Sequence, residues 1–406
     1  MWLLKLSFKT ILLSFLLLFS IYSASVIIWV GTRGNTDNSL VLLASQFLHG
    51  HISLIFEKGM PIGDISRFGG KFYLYFGPFS SVVLMPFVAI FGRNFPQVSL
   101  GIASMITSFY LSYEITKSFK FKKIDAFWLS LFFVFSTVLF SASVINVSAY
   151  QVEVLGVPLV LFSLREYFSK KRPLIMGVFL GLAVMTRSLL VLGVAFFVFE
   201  FFQKRLTRRQ LLIFFIPVIV SCSVLGVYNY VRFHSLFETG YKYNITLRTY
   251  PLDQNLNDGY MSPKHVPANL YSLFVMPPQP LLENKDGFVL KFPYLKASPW
   301  GMAIWFTSPL FLTLLFKFKR SKYSLSLIMA IIVLSIPIIS YYSIGFSQFG
   351  YRYALDFLPF LFLLLLSALS PKLSKSEILL ISIGVIFNAV YTTSLWGIYP
   401  VIGLYH

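Results

Sequence analysis

The sequence predicts an all-α polytopic membrane protein with about 11 transmembrane helices, N-terminus inside and C-terminus outside. Interfacial helices and two large external loops complete the expected fold. Three observations lead there. Of 406 residues, 57% are hydrophobic and 12% charged, which is too apolar for a soluble chain of this length. Apolar runs of roughly 16 to 25 residues recur, the length a helix needs to cross the hydrocarbon core, and an open sheet edge finds no partner in lipid. The net charge of +19 gathers in short clusters between those runs, a topology signal rather than a nucleic-acid footprint. With one cysteine, Cys222, no intrachain disulfide forms. The whole chain, 1–406, reads as a single integral membrane domain.

The first apolar run, 10–30, follows Lys5 and Lys9; its length and the lack of a small-residue cleavage site predict a retained anchor rather than a signal peptide. The first external loop, 31–94, follows. Within it 77–91 is only ~22 Å long as a helix and carries Pro86, so it reads as a helix in the outer interface. Making it a span would also put Lys117, Lys120, Lys122 and Lys123 outside. The run 96–116 then goes inward, 126–142 outward and 152–164 inward, ending at Arg165, Lys170, Lys171 and Arg172. The stretch 173–202 is too long for one untilted span and breaks at Met185-Thr186-Arg187 into two half-length helices, predicting a hairpin with its turn sunk below the outer surface. Lys204, Arg205, Arg208 and Arg209 fall inside after it, and 211–230 runs outward. The second external loop, 231–298, is proline-rich and almost without periodicity, an ordered loop or lid. Single spans are expected at 300–316, 324–342, 354–369 and 378–396. This topology keeps the short Lys/Arg clusters on the cytoplasmic side.

Candidate chemistry lies on the other side. Neither a Gly-rich phosphate loop between strand and helix nor a soluble nucleotide-binding segment is present. A group transferred outside the membrane must arrive already activated, and a polyprenyl-phosphate carrier is the natural vehicle. Asp37, in Asn35-Thr36-Asp37-Asn38-Ser39, precedes an apolar run at helical spacing (Leu40, Leu43, Ala44, Phe47). It reads either as an N-cap or as a base held ionised by the helix dipole. Asp64 precedes Gly69-Gly70-Lys71-Phe72-Tyr73-Leu74-Tyr75, where Lys71 suits a phosphate and the tyrosines suit an aromatic belt. Glu153 opens a span, where a lone carboxylate is costly unless paired or used. Arg187 sits in the sunken hairpin turn, as a phosphate clamp or a snorkelling cation. Arg352, beside Tyr351, opens another span and either clamps a phosphate or pairs locally with Asp356. Arg232 carries the same two readings. His49 and His51 flank Gly50 and form a weak divalent-metal candidate.

In chain order these pieces resemble the type-C glycosyltransferases, the superfamily of the protein O-mannosyltransferases and the lipid A aminoarabinose transferases. The resemblance rests on the external Asp37, the interfacial helix ending in Phe91-Gly92-Arg93, and Gly181-Leu182-Ala183 followed by Thr186-Arg187. It extends to Tyr228–Tyr241 (Tyr-Asn-Tyr-x-Arg-Phe-x-Ser-x-Phe-Glu-x-Gly-Tyr) and Tyr351–Pro359 (Tyr-Arg-Tyr-x-x-Asp-x-x-Pro). It implies an inverting sugar transfer from a polyprenyl-phosphate donor at the external face of the cytoplasmic membrane. The acceptor is a lipid, glycan or protein. By position, Asp37 matches the superfamily's first-loop acid, the implied base, and Glu153 a second acidic position. Asp64 is expected in support, with Arg187, Arg352, Lys71, Arg232 and Tyr351 around the phosphate. Asn38 stands where a second acid is common, and the sequence reading predicts no large C-terminal external domain. A polymerase or ligase of lipid-linked glycans is the neighbouring alternative. A flippase or transporter would show broken helices in paired halves, and the sequence has one broken hairpin and no internal repeat.

Overall fold

The computed structural model describes Leu18 and residues 37–55, 64–245, 252–284, 286–346 and 348–396. Apart from Leu18, the expected span 10–30 lies outside the described residues, as do 31–36 and 56–63 of the first loop. The elements are α1 (Ser39–Leu48), β1 (Ile65–Phe68), β2 (Lys71–Leu74), α2 (Phe79–Phe91), α3 (Val98–Ser118), α4 (Lys123–Phe135), α5 (Val138–Val144), α6 (Ser148–Phe168) and α7 (Pro173–Thr186). They continue with α8 (Val194–Phe202), α9 (Arg208–Phe233), α10 (Val266–Phe274), β3 (Gln279–Asn284), β4 (Val289–Lys296), α11 (Ser324–Ser340), α12 (Leu358–Ala368) and α13 (Lys375–Trp396). Two antiparallel pairs, β1–β2 and β3–β4, therefore amend the all-helical expectation.

The fold is organised around α6, almost every residue of which is buried; α3 packs on one side of it and α7 on another. Arg172 at the start of α7 makes a two-pronged contact with Glu166 near the end of α6 (both 2.8 Å). Fifteen residues later Arg187 reaches Glu153 near the start of α6. The chain then turns through a 3₁₀ segment, Ser188–Gly193, and comes back along α8 until Glu200 accepts a hydrogen bond from Tyr167. Both ends of the hairpin thus meet one end of α6 and its turn meets the other, the geometry expected for 173–202. The break falls at Arg187, whose extended backbone (φ −142°, ψ 110°) ends α7.

Helix α7 closes on α9 through glycine. A Cβ on Gly177 would stand 2.1 Å from the Phe214 carbonyl oxygen, and one on Gly181 2.4 Å from Ser221 Oγ. Two small residues four apart let the backbones approach, the usual device of helix pairs in lipid. Gly177→Ala is expected to destabilise by about 1–3 kcal/mol through overpacking. The check is the thermal midpoint of the detergent-solubilised variant beside a Leu212→Ala control on the exposed face of α9.

Helix α9 spans 26 residues, ~39 Å at 1.5 Å per residue, and exposes Ile216, Ile219, Val220, Val224 and Val227. An apolar face of that size without a protein partner belongs in lipid, so the chain is a membrane protein. Among the described residues α9 and Lys375–Thr392 of α13 are long and apolar enough to cross a bilayer. The bent pair α4–α5, kinked by 56°, makes a possible third; this kinked pair occupies the expected span 126–142. The remaining helices are shorter or more polar, so the eleven-span count and its in–out topology stay with the sequence. Helix α2, which the sequence reading places in the outer interface, is 13 residues long, holds Pro86, and exposes Val82, Phe87, Ile90 and Phe91.

Two expectations are corrected. The stretch 300–316 is not one helix but Ile304–Thr307, a 3₁₀ turn Pro309–Leu312 and Thr313–Lys317. A residue before proline is pushed out of the helical region, and Ser308 (φ −140°, ψ 64°) shows it. The second loop begins after Phe233 rather than at Val231, because α9 runs on to Phe233. It also contains α10 and the β3–β4 hairpin, so it is largely structured.

Candidate active site

The first loop is tied down by side chains that reach far along the chain. Asp37 Oδ1 accepts from the Ser39 backbone N–H (3.0 Å) and hydroxyl (2.6 Å), while Oδ2 accepts from the Ser148 N–H (2.6 Å). Those donors belong to the first residues of α1 and α6, groups that an N-terminal turn leaves unpaired. One carboxylate thus joins two helix starts, the second of them 111 positions beyond Asp37 itself. Asn146 Nδ2 adds a bond to the Asp37 carbonyl (2.8 Å). Asn38 Nδ2 donates to the Arg93 (2.9 Å) and Phe95 (3.2 Å) carbonyls, closing the loop on itself.

Asp64 enters β1 in the left-handed region (φ 55°). The strand pairs with β2, and Ser66 Oγ donates to the Gly240 carbonyl at 2.6 Å, joining the first long loop to the second. The Tyr75 hydroxyl donates to Asp64 Oδ1 at 2.5 Å, and the Tyr75 ring lies on Tyr241 (centroids 4.3 Å apart). Asp64 is half-buried among these rings. Burial pushes its carboxyl up to about 6; the Tyr75 hydrogen bond opposes this, the Asp37 charge adds to it, the Arg352 charge opposes it and the Glu153 charge adds.

Beside it stands a chain of four alternating charges. Arg187 Nη1 donates to Glu153 Oε1 (2.5 Å), and Arg187 Nε lies 2.9 Å from Asp356 Oδ2. Arg352 Nε lies 3.8 Å from Glu153 Oε2. The last two contacts are ion pairs rather than aligned hydrogen bonds. The side chains of Glu153 and Asp356 are 2% and 1% exposed, those of Arg187 and Arg352 18% and 14%. The guanidiniums are therefore the more accessible groups, and of the two carboxylates Glu153 lines the cavity while Asp356 does not. Arg352 stacks on Tyr150 (4.6 Å) and Tyr353 (5.0 Å), and Arg187 on Tyr353 (5.5 Å), contacts that hold a cation without neutralising it.

In front of the guanidiniums is a cavity of about 840 Å³ that takes in Asp64, Glu153, Arg187, Arg352, Tyr241 and Lys242. Much of the remaining lining is apolar, from Leu189, Val191 and Leu192 of the hairpin turn to Pro337 and Ile338 of α11, with Glu238 and Thr239 among the polar exceptions. Gly77 keeps the hairpin turn in place from behind: a Cβ there would lie 2.0 Å from the Met185 carbonyl oxygen.

The structure gathers Asp64, Glu153, Arg187 and Arg352 of the residues singled out from the sequence. Asp37 does not line the cavity, although its charge reaches Asp64. Lys71 is exposed at the tip of the β1–β2 turn. Arg232, 1% exposed, donates to the Leu74 carbonyl (2.6 Å) and to Asn229 Oδ1 (2.7 Å). Tyr351 is buried, its hydroxyl donating to Asn269 Oδ1 (2.7 Å). His49 Nδ1 bonds to the Ser45 carbonyl at 2.7 Å, and among the described residues no three His, Cys, Asp or Glu side chains converge as metal ligands. Asp356 pairs with Arg187, not with Arg352 as one reading of the sequence had it. Asp356, Tyr241 and Tyr353 lie within the motifs quoted from the sequence, but none was singled out there as a site residue.

In overall fold the chain is similar to solved structures of the type-C glycosyltransferase fold. The chain superposes on ArnT from Cupriavidus metallidurans, a lipid A aminoarabinose transferase, in its structure bound to undecaprenyl phosphate. The TM-score is 0.53 and the identity 12%, over 96% of this chain and 78% of that one. Against the apo state of the same protein the TM-score is 0.50 and the identity 12%, over 95% and 77%. At this identity the likeness is one of fold. No protein-family model matches the sequence, and no curated protein matches it.

Proposed function

We propose that the chain transfers a sugar from a polyprenyl-phosphate donor to a lipid, glycan or protein acceptor, with inversion, at the external face of the cytoplasmic membrane. The observation that carries this reading is the cavity's lining, which combines two guanidiniums and the Asp64 carboxylate with a largely apolar set of side chains. A lipid-linked phosphate combines charged and apolar chemistry in the same way. Its charged group suits Arg187 and Arg352, and its chain suits the wall formed by Val191, Leu192 and Ile338. The solved relative of the same fold holding undecaprenyl phosphate supports the choice of carrier.

In the proposed reaction the acceptor oxygen attacks the anomeric carbon as the bond from that carbon to the phosphate oxygen breaks. The acceptor's proton passes to the Asp64 carboxylate, and polyprenyl phosphate leaves with one more negative charge than it had in the donor. Arg187 and Arg352 stabilise that charge where it develops. Glu153 holds both arginines, and Asp37 fixes the loop that carries Asp64 against the start of α6. A divalent metal takes no part in the proposal.

The test is label transfer by the purified protein in nanodiscs, offered a panel of radiolabelled polyprenyl-phosphate sugars, with Asp64→Asn, Asp37→Asn and Arg352→Ala beside wild type. Transfer by wild type with loss in Asp64→Asn and Arg352→Ala supports the reading. If Asp37→Asn abolishes transfer while Asp64→Asn keeps it, the base is Asp37. Donor binding without turnover on any acceptor overturns the transferase reading in favour of a carrier-lipid flippase.

A further inference from the structure

We propose that Asp356 is a positioning residue that aims Arg187 into the cavity from behind, and that phosphate affinity depends on it although it does not touch the ligand. The inference rests on reading the cavity as a phosphate site. It starts from an asymmetry. Arg187 is the one cation of the pair held by two carboxylates, Glu153 at Nη1 and Asp356 at Nε. Glu153 lines the cavity; Asp356, 2% exposed as a residue, does not. A guanidinium hydrogen-bonded to one carboxylate at Nη1 and ion-paired with a second beside Nε is held between the two, and Nη2 is the terminal nitrogen left over. The planar fork of arginine makes this possible, since its donors keep a fixed geometry relative to one another.

The backbone supports the same division of labour. Asp356 ends a tight 3₁₀ segment, Arg352–Asp356, that starts with the second cavity arginine. In a 3₁₀ helix, with three residues per turn, positions four apart point about 120° away from each other. Arg352 and Asp356 therefore diverge, one towards Tyr150 and Glu153 and the other towards Arg187. A single five-residue segment supplies a phosphate-facing cation and the counter-ion that orients its neighbour. Glu153 alone, shared between Arg187 and Arg352, does not fix the guanidinium plane of either.

The experiment is a double-mutant cycle on binding of undecaprenyl phosphate to the full chain in phosphatidylcholine nanodiscs, read by titration calorimetry. Asp356→Asn is near-isosteric and is expected to weaken binding about tenfold, with Asp356→Glu recovering part of the loss. Arg187→Ala is expected to weaken binding further. In the Arg187→Ala background Asp356→Asn is then expected to cost nothing more, because its only route to the ligand is gone. A loss of the same size in both backgrounds shows an effect that bypasses Arg187 and overturns the proposal. Binding unchanged in Asp356→Asn while Arg187→Ala weakens it overturns the positioning role and leaves the phosphate reading intact. Wild-type binding that is absent, or unaltered in Arg187→Ala, overturns the phosphate reading and this inference with it. Thermal midpoints of each variant identify any that fail to fold, and Asp356→Glu serves as the folded comparison in that case.

Discussion

On the proposed reaction, transfer by Asp64→Asn is expected to fall by about two to four orders of magnitude, the range in which a positioned general base contributes, and its pH profile to change shape. In wild type, burial holds the Asp64 carboxyl at about 6, and only the ionised form accepts the acceptor's proton. The rate at low substrate, kcat/KM, therefore rises about tenfold per pH unit below 6 and levels off above it. A phosphodiester donor has no proton that titrates in this range, so the limb belongs to the protein. Asp64→Asn keeps the acceptor oxygen that Tyr75 bonds to and loses the limb. The same group leaves a mark on stability. Its folded carboxyl titrates above the ordinary value of 3.8, so the folded chain holds the proton more tightly than the unfolded one. The contribution is thus fully present below about 4 and is lost as pH rises through about 6. Melting of wild type should fall relative to Asp64→Asn between about pH 4 and pH 6. A limb that persists in Asp64→Asn assigns the titration to another group.

The charged residues that meet at the cavity were readable because charge inside or at the edge of an apolar run is expensive and rare. Glu153, Arg187 and Arg352 stood out on that ground alone. Their partners were not readable. Asp356 four positions after Arg352 looks like a helical pair, and in an α-helix the two would share a face. The chain instead takes a 3₁₀ turn there, which separates them and sends Asp356 to Arg187, 169 positions earlier. Asp37 shows the same limit. Its pattern fits a cap as well as a base, and its bond to Ser148, 111 positions on, has no local sequence trace. The hairpin at 173–202 was legible from its length and from Arg187, both local properties. The break in 300–316 was equally local, since Pro309 stands in mid-run, and reading hydropathy without proline chemistry missed it. Of the cavity's tyrosines, the sequence conveyed only that aromatics cluster at the interface; which of them face one space depends on how the two loops pair through Ser66 and Gly240.

Arg187→Gln is expected to be the most damaging single change, costing about 3–5 kcal/mol of stability because it leaves two inaccessible carboxylates short of a counter-ion. Glu153 retains only Arg352, at 3.8 Å, and Asp356 retains no ion pair among the described residues. Sugar transfer should be lost as well, since one of two groups that meet the departing phosphate is gone, a deletion worth about 10²–10³ in rate for a comparable preorganised donor. The two losses have separable causes. Adding Asp356→Asn to Arg187→Gln removes the stranded carboxylate, so the double variant should melt higher than Arg187→Gln alone while transfer stays lost. Arg187→Lys discriminates further: a lysine restores a charge but as a compact point, without a fork that reaches both Glu153 and Asp356. It should recover more of the melting temperature than of the transfer rate. Equal recovery of both would mean that the site needs a positive charge there and not the guanidinium's geometry, and a double variant no more stable than Arg187→Gln would show that the four charges do not act as one unit.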